Sequence, residues 1–152
     1  MSNWLYNDDG IKIAIAEDFT TDYYGFIYKI TNLETGKYYI GKKAFFHNKK
    51  KKLTKKELAE QTGPGRKATT RVDKVDSGWQ SYWGSSKDLL ADVKRLGEDK
   101  FERVILTFAN NKKQLTYYEL EAQIRSNALF DDNSYNDNIL GKFYRRDFVT
   151  QK

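Results

Sequence analysis

The sequence of 152 residues contains no cysteine and one histidine, His47. Without cysteine, neither a disulfide framework nor a thiolate metal site can form, and a single histidine nearly excludes a zinc site as well. Any metal ion must therefore be bound by oxygen atoms.

Long apolar runs are also absent. The first residues, MSNWLYNDDG, lack a basic region followed by an apolar stretch, and nowhere does the chain contain the roughly 18 consecutive apolar residues that span a membrane. Neither export nor membrane insertion is indicated, so we expect a cytoplasmic protein with no membrane partner.

Aromatic and charged residues are abundant, at 15% and 32% of the chain. A chain of this length and composition can form one domain with a core of large rings beneath a charged surface. Its net charge of +6 is unevenly distributed, because residues 42–74 hold twelve Lys or Arg and three Asp or Glu. This segment attracts polyanions and predicts nucleic acid as the partner, well ahead of an anionic membrane surface.

Alternating or aromatic apolar runs predict the strands. IKIAIA at 11–16 indicates a strand in an N-terminal extension, residues 1–22, and runs at 24–30 and 38–41 joined by TNLETGK indicate a β-hairpin. FERVILTF at 101–108 indicates a further strand. We therefore expect an α+β fold in which the hairpin and this strand form a small three-stranded antiparallel sheet flanked by helices.

Helices are predicted where a capping signal precedes a helical segment. Thr54 with Glu57 predicts a helix over residues 55–61, and Ser85 with Asp88 predicts a helix that ends at Gly97. Thr116 predicts a helix over residues 117–129. The rest of the insertion at 42–78 lacks apolar periodicity and is expected to be exposed loop, which in a small domain is usually functional or disordered. We assign residues 23–152 to one domain that carries this insertion.

Tyr28 and Tyr39 lie on the two strands of the predicted hairpin, where they can project side by side. Cross-strand aromatic pairs commonly stabilise small sheets, and on spacing alone packing is the more frequent explanation. A chemical role is favoured because Lys42 and Lys43 follow directly and open the basic segment. Tyr38 should face away from Tyr39, since successive strand residues face opposite sides, and is assigned to packing or to the surface.

The hairpin resembles that of the GIY-YIG nucleases, whose signature is Gly-Ile-Tyr followed, after a short connection, by Tyr-Ile-Gly. FIY at 26–28 and YIG at 39–41 match it, with Phe26 in place of the first glycine. The resemblance continues through the strand, helix, strand and helix order to the YN pair at 135–136, and covers roughly residues 24–140. It is closest in character to a stand-alone, phage-type member.

This resemblance implies a DNA endonuclease that uses Mg²⁺ or Mn²⁺ and leaves a 5′-phosphate. Tyr28, helped by Tyr39 or Lys43, would accept a proton from the attacking water. Neighbouring positive charge would then have to lower the tyrosine pKa from its ordinary value near ~10. Glu119 in the last helix would hold the metal near the leaving 3′ oxygen.

Two glutamates of the last helix compete for the metal role. Glu119 is favoured because Gln123 stands four residues after it, where similar phage sequences place a glutamine. Simpler explanations are available for both, namely a capping box with Thr116 for Glu119 and an ion pair with Arg125 for Glu121.

The arginine that the family uses soon after YIG has no counterpart within the eight residues that follow Gly41. Arg66 and Arg71 are the first arginines after the motif, and Arg71 is preferred for its distance from the block GWQSYWGSS, although Arg66 stays open. His47 could contact phosphate or transfer a proton, and it could equally be structural.

The basic insertion supplies the expected DNA contacts, and phosphate contacts of this kind carry no sequence information. The expected contacts are Lys42, His47, Lys49, Lys50, Lys51, Lys52, Arg66 and Lys67. The supporting positions are Gly41, Trp79, Ser85, Gln123 and Asn136. Weak sequence specificity is therefore expected, from a monomer or a weak homodimer.

Two other hypotheses compete with the nuclease. The chain could be a non-catalytic nucleic-acid-binding protein that retains the nuclease fold, or a small structural or inhibitory protein that binds another nuclease. Loss of cleavage with retained DNA binding in Glu119→Ala would favour the enzyme over the first alternative.

Overall fold

The computed structural model describes residues 4–148. Residues 1–3 of the predicted N-terminal extension and residues 149–152 of the predicted domain therefore lie outside the described residues. Within this range the strands are β1 (Trp4–Asp8), β2 (Ile11–Ala14), β3 (Gly25–Asn32), β4 (Tyr38–Ala44), β5 (Phe46–Lys52), β6 (Thr70–Asp76), β7 (Phe101–Ala109), β8 (Asn138–Ile139) and β9 (Phe143–Tyr144). The helices are α1 (Lys55–Ala59), α2 (Lys87–Leu96) and α3 (Lys112–Arg125).

The main sheet has the strand order β2-β1-β7-β3-β4, which confirms the α+β class and the β3–β4 hairpin. The three predicted strands pair in antiparallel order, but the predicted strand number was wrong, because β1 and β2 extend the sheet beyond β7 and β1 runs parallel to β7. The short segment WLYND lacks clear alternation. It joins the sheet because Trp4, which is fully buried, contributes to the core.

One face of the sheet packs on a cluster of aromatic rings. Phe26, Tyr28 and Ile30 of β3 point into it, and Trp4 contacts Phe26 and Tyr28 edge-on at centroid distances of 5.1 and 5.6 Å. The Trp4 indole also donates a hydrogen bond to the carbonyl of Trp79 at 2.9 Å. Trp79, predicted as a supporting site residue, is therefore part of the core.

A buried arginine links the N-terminal strand to the chain segment before α2. The Arg103 guanidinium lies 4.5 Å from the Trp4 ring centroid and 4.2 Å from that of Trp83, and it donates to the Tyr82 carbonyl at 2.7 Å. Burial lowers the pKa of Arg103 to about 10, so it remains charged at neutral pH. Cation–π contacts of this kind stabilise by roughly 0.5–2 kcal/mol.

The opposite face of the sheet is covered by α3. Ile27 and Ile40 pack there against Leu115, and Tyr38 joins the same cluster. The Tyr38 hydroxyl donates to the Asp131 carboxylate at 2.7 Å. Helices therefore flank the sheet on both sides, as expected, with α2 packing on the aromatic face.

The helix starts differ from prediction at two places. The capping box of α1 is confirmed at Thr54. The N-cap of α2 is Ser86 and not Ser85, and α3 begins five residues before Tyr117 because Asn111 caps it by accepting from the Gln114 N–H. No helix within residues 4–148 has the length and apolar character needed to cross a bilayer.

The basic insertion is not mainly loop. Its strands β5 and β6 form a separate two-stranded antiparallel sheet, called here the basic ribbon. The sequence pattern did not reveal this ribbon because most of its residues are exposed, so neither strand needs an apolar face.

Replacing Trp4 by alanine should lower the free energy of unfolding by about 3–5 kcal/mol, because it leaves a cavity beneath two core rings. Ile11→Ala removes a side chain that is 67% exposed, so it should change the free energy of unfolding by less than about 0.5 kcal/mol. Urea denaturation measures both. Equally small effects would show that β1 is an appendage rather than part of the core.

Candidate active site

The open edge of β4 is closed by side-chain amides. Asn136 accepts from the Ile40 N–H at 3.0 Å and donates to the Ile40 carbonyl at 2.9 Å, much as a neighbouring strand would. Gln123 of α3 donates to the same carbonyl at 2.9 Å. These bonds hold α3 and the C-terminal loop beside the YIG motif.

A cavity of about 700 Å³ lies where β4, the start of α2, α3 and the C-terminal loop meet. Its lining residues are Tyr39, Lys42, Ser85, Ser86, Lys87, Asp88, Glu119, Gln123, Tyr135, Asn136, Asp137, Asn138, Leu140 and Gly141. The cavity thus brings together Tyr39, Glu119 and three of the predicted supporting residues.

Tyr28 lies behind the cavity wall and is 1% exposed. Its hydroxyl reaches across β4 at Gly41, where a Cβ atom would lie 2.5 Å from the Tyr28 Oη. A glycine is therefore required at this position if the tyrosine keeps its place. The pairing of β3 with β7 also shifts register between Ile27 and Tyr28, a bulge of the kind that redirects a side chain.

The two tyrosines are harder to ionise than expected. Burial raises the pKa of Tyr28 well above its ordinary value, and the neighbouring Tyr82 and Tyr39 raise it further. Burial also raises the pKa of Tyr39, although its hydrogen bond with Ser85, at 3.2 Å, acts in the opposite direction. The positive charge that was expected to lower the Tyr28 pKa is not among the causes that act on it, and the direction is upward.

Lys43 does not line the cavity. Its Nζ atom lies 4.2 Å from the ring centroid of Tyr82, whose ring in turn contacts Tyr28 edge-on at 5.9 Å. Tyr82 is a neighbour that sequence reasoning missed. Its position inside the aromatic block GWQSYWGSS was the available signal.

Glu119 is a largely buried carboxylate with one cationic neighbour. Its side chain is 13% exposed, and the Lys42 Nζ lies 3.9 Å from its Oε1 while donating to the Thr116 hydroxyl at 3.1 Å. Burial raises the pKa of Glu119 and Lys42 opposes that shift. Since Thr116 lies inside α3, the capping explanation for Glu119 does not apply.

Glu121 has the simpler role that its spacing predicts. It lies 3.9 Å from Arg125 in an i,i+4 ion pair, and its side chain is 40% exposed. Of the two candidate glutamates, Glu119 is the one that lines the cavity.

The donor atoms around Glu119 fit a hard divalent cation. The Oε1 atom of Gln123 is buried and has no hydrogen-bond partner, so an oxygen acceptor remains available one helical turn from Glu119. No group of three or more His, Cys, Asp or Glu suited to a metal occurs within residues 4–148. A site with few protein ligands suits Mg²⁺, which usually keeps several waters and binds substrate phosphates.

The predicted arginine is not brought to this cavity. Arg71 lies in the basic ribbon, where its guanidinium contacts Glu57 at 2.6 Å and Asp73 at 3.2 Å. Arg66 and Lys67 are exposed in the turn before β6. None of these three basic residues lines the cavity, and Lys42 is the basic residue beside Glu119.

The other predicted DNA contacts lie in the ribbon. Lys49, Lys50, Lys51 and Lys52 are exposed on β5. His47 lines a second, smaller cavity of about 250 Å³ at the base of the ribbon. Two acidic residues that were not predicted as site residues also line the main cavity, namely Asp137 and Asp88, which the sequence marked only as part of a capping signal.

A known protein family matches most of the chain. A family model described as "Putative endonuclease segE, GIY-YIG domain" matches residues 4–144. Searches of curated proteins and of solved structures give no significant match. The matched range begins at β1, so it includes the strands that the sequence alone indicated as an extension.

Glu119→Gln should weaken Mn²⁺ binding by at least about tenfold, because it removes a partly buried carboxylate that lines the cavity. Glu121→Gln is the matched control two residues away and should leave the affinity unchanged. Isothermal titration calorimetry with Mn²⁺ measures both variants. Equal affinities for Glu119→Gln and the unmodified protein would exclude Glu119 as a ligand.

Proposed function

The chain belongs to the GIY-YIG nuclease superfamily, and from that membership we propose that it is a DNA endonuclease that requires Mg²⁺ or Mn²⁺. It hydrolyses phosphodiester bonds and leaves 5′-phosphate ends. We further propose that it is a phage-type enzyme that acts in the cytoplasm as a monomer or weak homodimer.

One observation carries this proposal. A partly buried glutamate, a glutamine whose side-chain oxygen has no partner and a tyrosine line one cavity large enough for a phosphodiester. Packing alone gives no reason to place a carboxylate that is only 13% exposed one helical turn from a glutamine oxygen without a partner, since both choices cost stability. A cation bound there would relieve both.

Glu119 and the Gln123 Oε1 would hold the cation. When bound, it would neutralise charge on the phosphate oxygens, including the leaving 3′ oxygen. Lys42 places a further positive charge in the cavity, 3.9 Å from Glu119, and we assign it the phosphate contact that Arg71 was expected to make.

Hydrolysis joins a water oxygen to phosphorus and breaks the bond from phosphorus to the 3′ oxygen. The 3′ oxygen gains a proton, and the attacking water must lose one. We assign proton acceptance to Tyr39, because its side chain lines the cavity whereas Tyr28 lies behind the wall. Tyr28 would then position Tyr39, whose ring centroid is 6.2 Å from its own.

The first test is cleavage of supercoiled plasmid with Mg²⁺ or Mn²⁺, followed by mapping of the ends. We expect nicked products with 5′-phosphates from the unmodified protein and from Glu121→Gln. Glu119→Gln should bind DNA without cutting it. Binding without nicking at every salt concentration would instead favour the non-catalytic nucleic-acid-binding protein.

The tyrosine assignment is tested by a matched pair of variants. Tyr39→Phe should lower kcat by about 10²–10⁴-fold, the range for loss of a proton-transfer group, and Tyr28→Phe should lower it less. Single-turnover cleavage of a labelled duplex measures both. A larger loss in Tyr28→Phe would return the proton-accepting role to Tyr28.

The pH dependence follows from the raised pKa of Tyr39. Burial raises this pKa, neighbouring Tyr82, Glu119 and Asp137 add to it, and Ser85 opposes it, so the phenol keeps its proton at neutral pH. Because catalysis needs the phenolate, kcat/KM should rise by about tenfold per pH unit from pH 7 towards 10. A plateau below about pH 8 would indicate a different proton acceptor.

A further inference from the structure

The basic ribbon projects from the domain with both faces largely exposed. Its strands pair with each other and not with the main sheet. At its base, the Phe45 N–H donates to the Tyr24 carbonyl and the Ser77 N–H donates to the Phe45 carbonyl, both at 3.0 Å. The ribbon is therefore fixed to the core where β4 ends.

One face of the ribbon carries lysines without carboxylate partners. Because strand residues alternate, the even-numbered residues share a face, and Lys50, Lys52 and Lys74 lie there with Thr70 and Val72 opposite on β6. Among residues 4–148, none of the three lysines has a carboxylate within ion-pair distance. The Lys74 ammonium instead lies over a phenylalanine ring at the ribbon base.

The odd-numbered face carries a similar set of basic residues, two of which are already paired with carboxylates. Lys51 lies 3.6 Å from Asp73, and Arg71 contacts both Asp73 and Glu57. Lys49 stands directly opposite Asp73 in the strand register. Binding a phosphate on this face would require these ion pairs to be broken or shared.

We infer that the even-numbered face, with Lys50, Lys52 and Lys74, is the surface that binds the phosphate backbone of duplex DNA. This inference rests on the proposed function. A lysine without an ion pair can contact a phosphate without breaking a contact to a carboxylate. Each phosphate contact also releases counterions from the DNA, which favours binding. Lys50 and Lys52 lie about 6.7 Å apart along the strand, roughly twice the 3.4 Å axial spacing of charges on one DNA strand.

The ribbon continues directly from the strand that carries the YIG motif. Tyr39 and Lys50 are eleven residues apart, so the chain between them spans at most about 36 Å. That limit corresponds to roughly one turn of B-DNA. A duplex held on the ribbon can therefore also reach the cavity.

Two double variants on one strand test the face. Lys50→Gln with Lys52→Gln, and Lys49→Gln with Lys51→Gln, remove the same charge from opposite faces of β5. Binding to a 30-base-pair duplex is measured by fluorescence anisotropy in EDTA over a series of NaCl concentrations. The slope of log K against log salt should fall by about 1.8 for the even pair and by less than about 0.5 for the odd pair.

Lys50→Arg with Lys52→Arg should keep the full slope, and far-UV circular dichroism checks that each variant is folded. Equal slope changes for the even and odd pairs, or no change for either, would overturn the inference. Plasmid nicking by the unmodified protein is measured in parallel. If the unmodified protein nicks plasmid but the even and odd pairs change the slope equally, only this inference is wrong. If the unmodified protein neither binds nor nicks DNA, both this inference and the proposed function are wrong.

Discussion

The candidate site depends on the hydrogen bonds made by the backbone N–H and carbonyl of one residue. Ile40 lies in the middle of an edge strand, and its N–H and carbonyl are bonded by the amides of Asn136 and Gln123. A buried backbone group without a partner is costly, so this requirement holds the last helix and the C-terminal loop against the hairpin. Without that attachment, Glu119 would not share a cavity with Tyr39.

The two amides that bond to Ile40 differ in the hydrogen-bonding capacity that they have left. Gln123, which lines the cavity, uses its nitrogen to close the strand edge, and this leaves its buried oxygen without a partner. Asn136 uses both ends of its side chain on Ile40 and has an architectural role. One amide is thus fully committed to the fold, while the other retains an acceptor for a ligand.

Much of the sheet could be predicted from the sequence because apolar alternation reports burial. The β3–β4 hairpin has aromatic and β-branched runs and β7 has alternation, whereas the basic ribbon is exposed and gives no such signal. The family resemblance singled out Glu119 through the glutamine four residues later, and Glu119 does line the cavity. Arg71 was misplaced because its ion pairs with Glu57 and Asp73 depend on a ribbon that the pattern did not reveal.

The parallel pairing of β1 with β7 has a consequence for synthesis of the protein. The register places Trp4 opposite Arg103, so the two strands that meet in the middle of the sheet come from distant parts of the chain. Contacts between such distant segments form late, because the loop between them must first be closed. On the ribosome, the first strand must therefore wait until β7 has emerged, and the cavity cannot assemble on a nascent chain that is still short of its last helix.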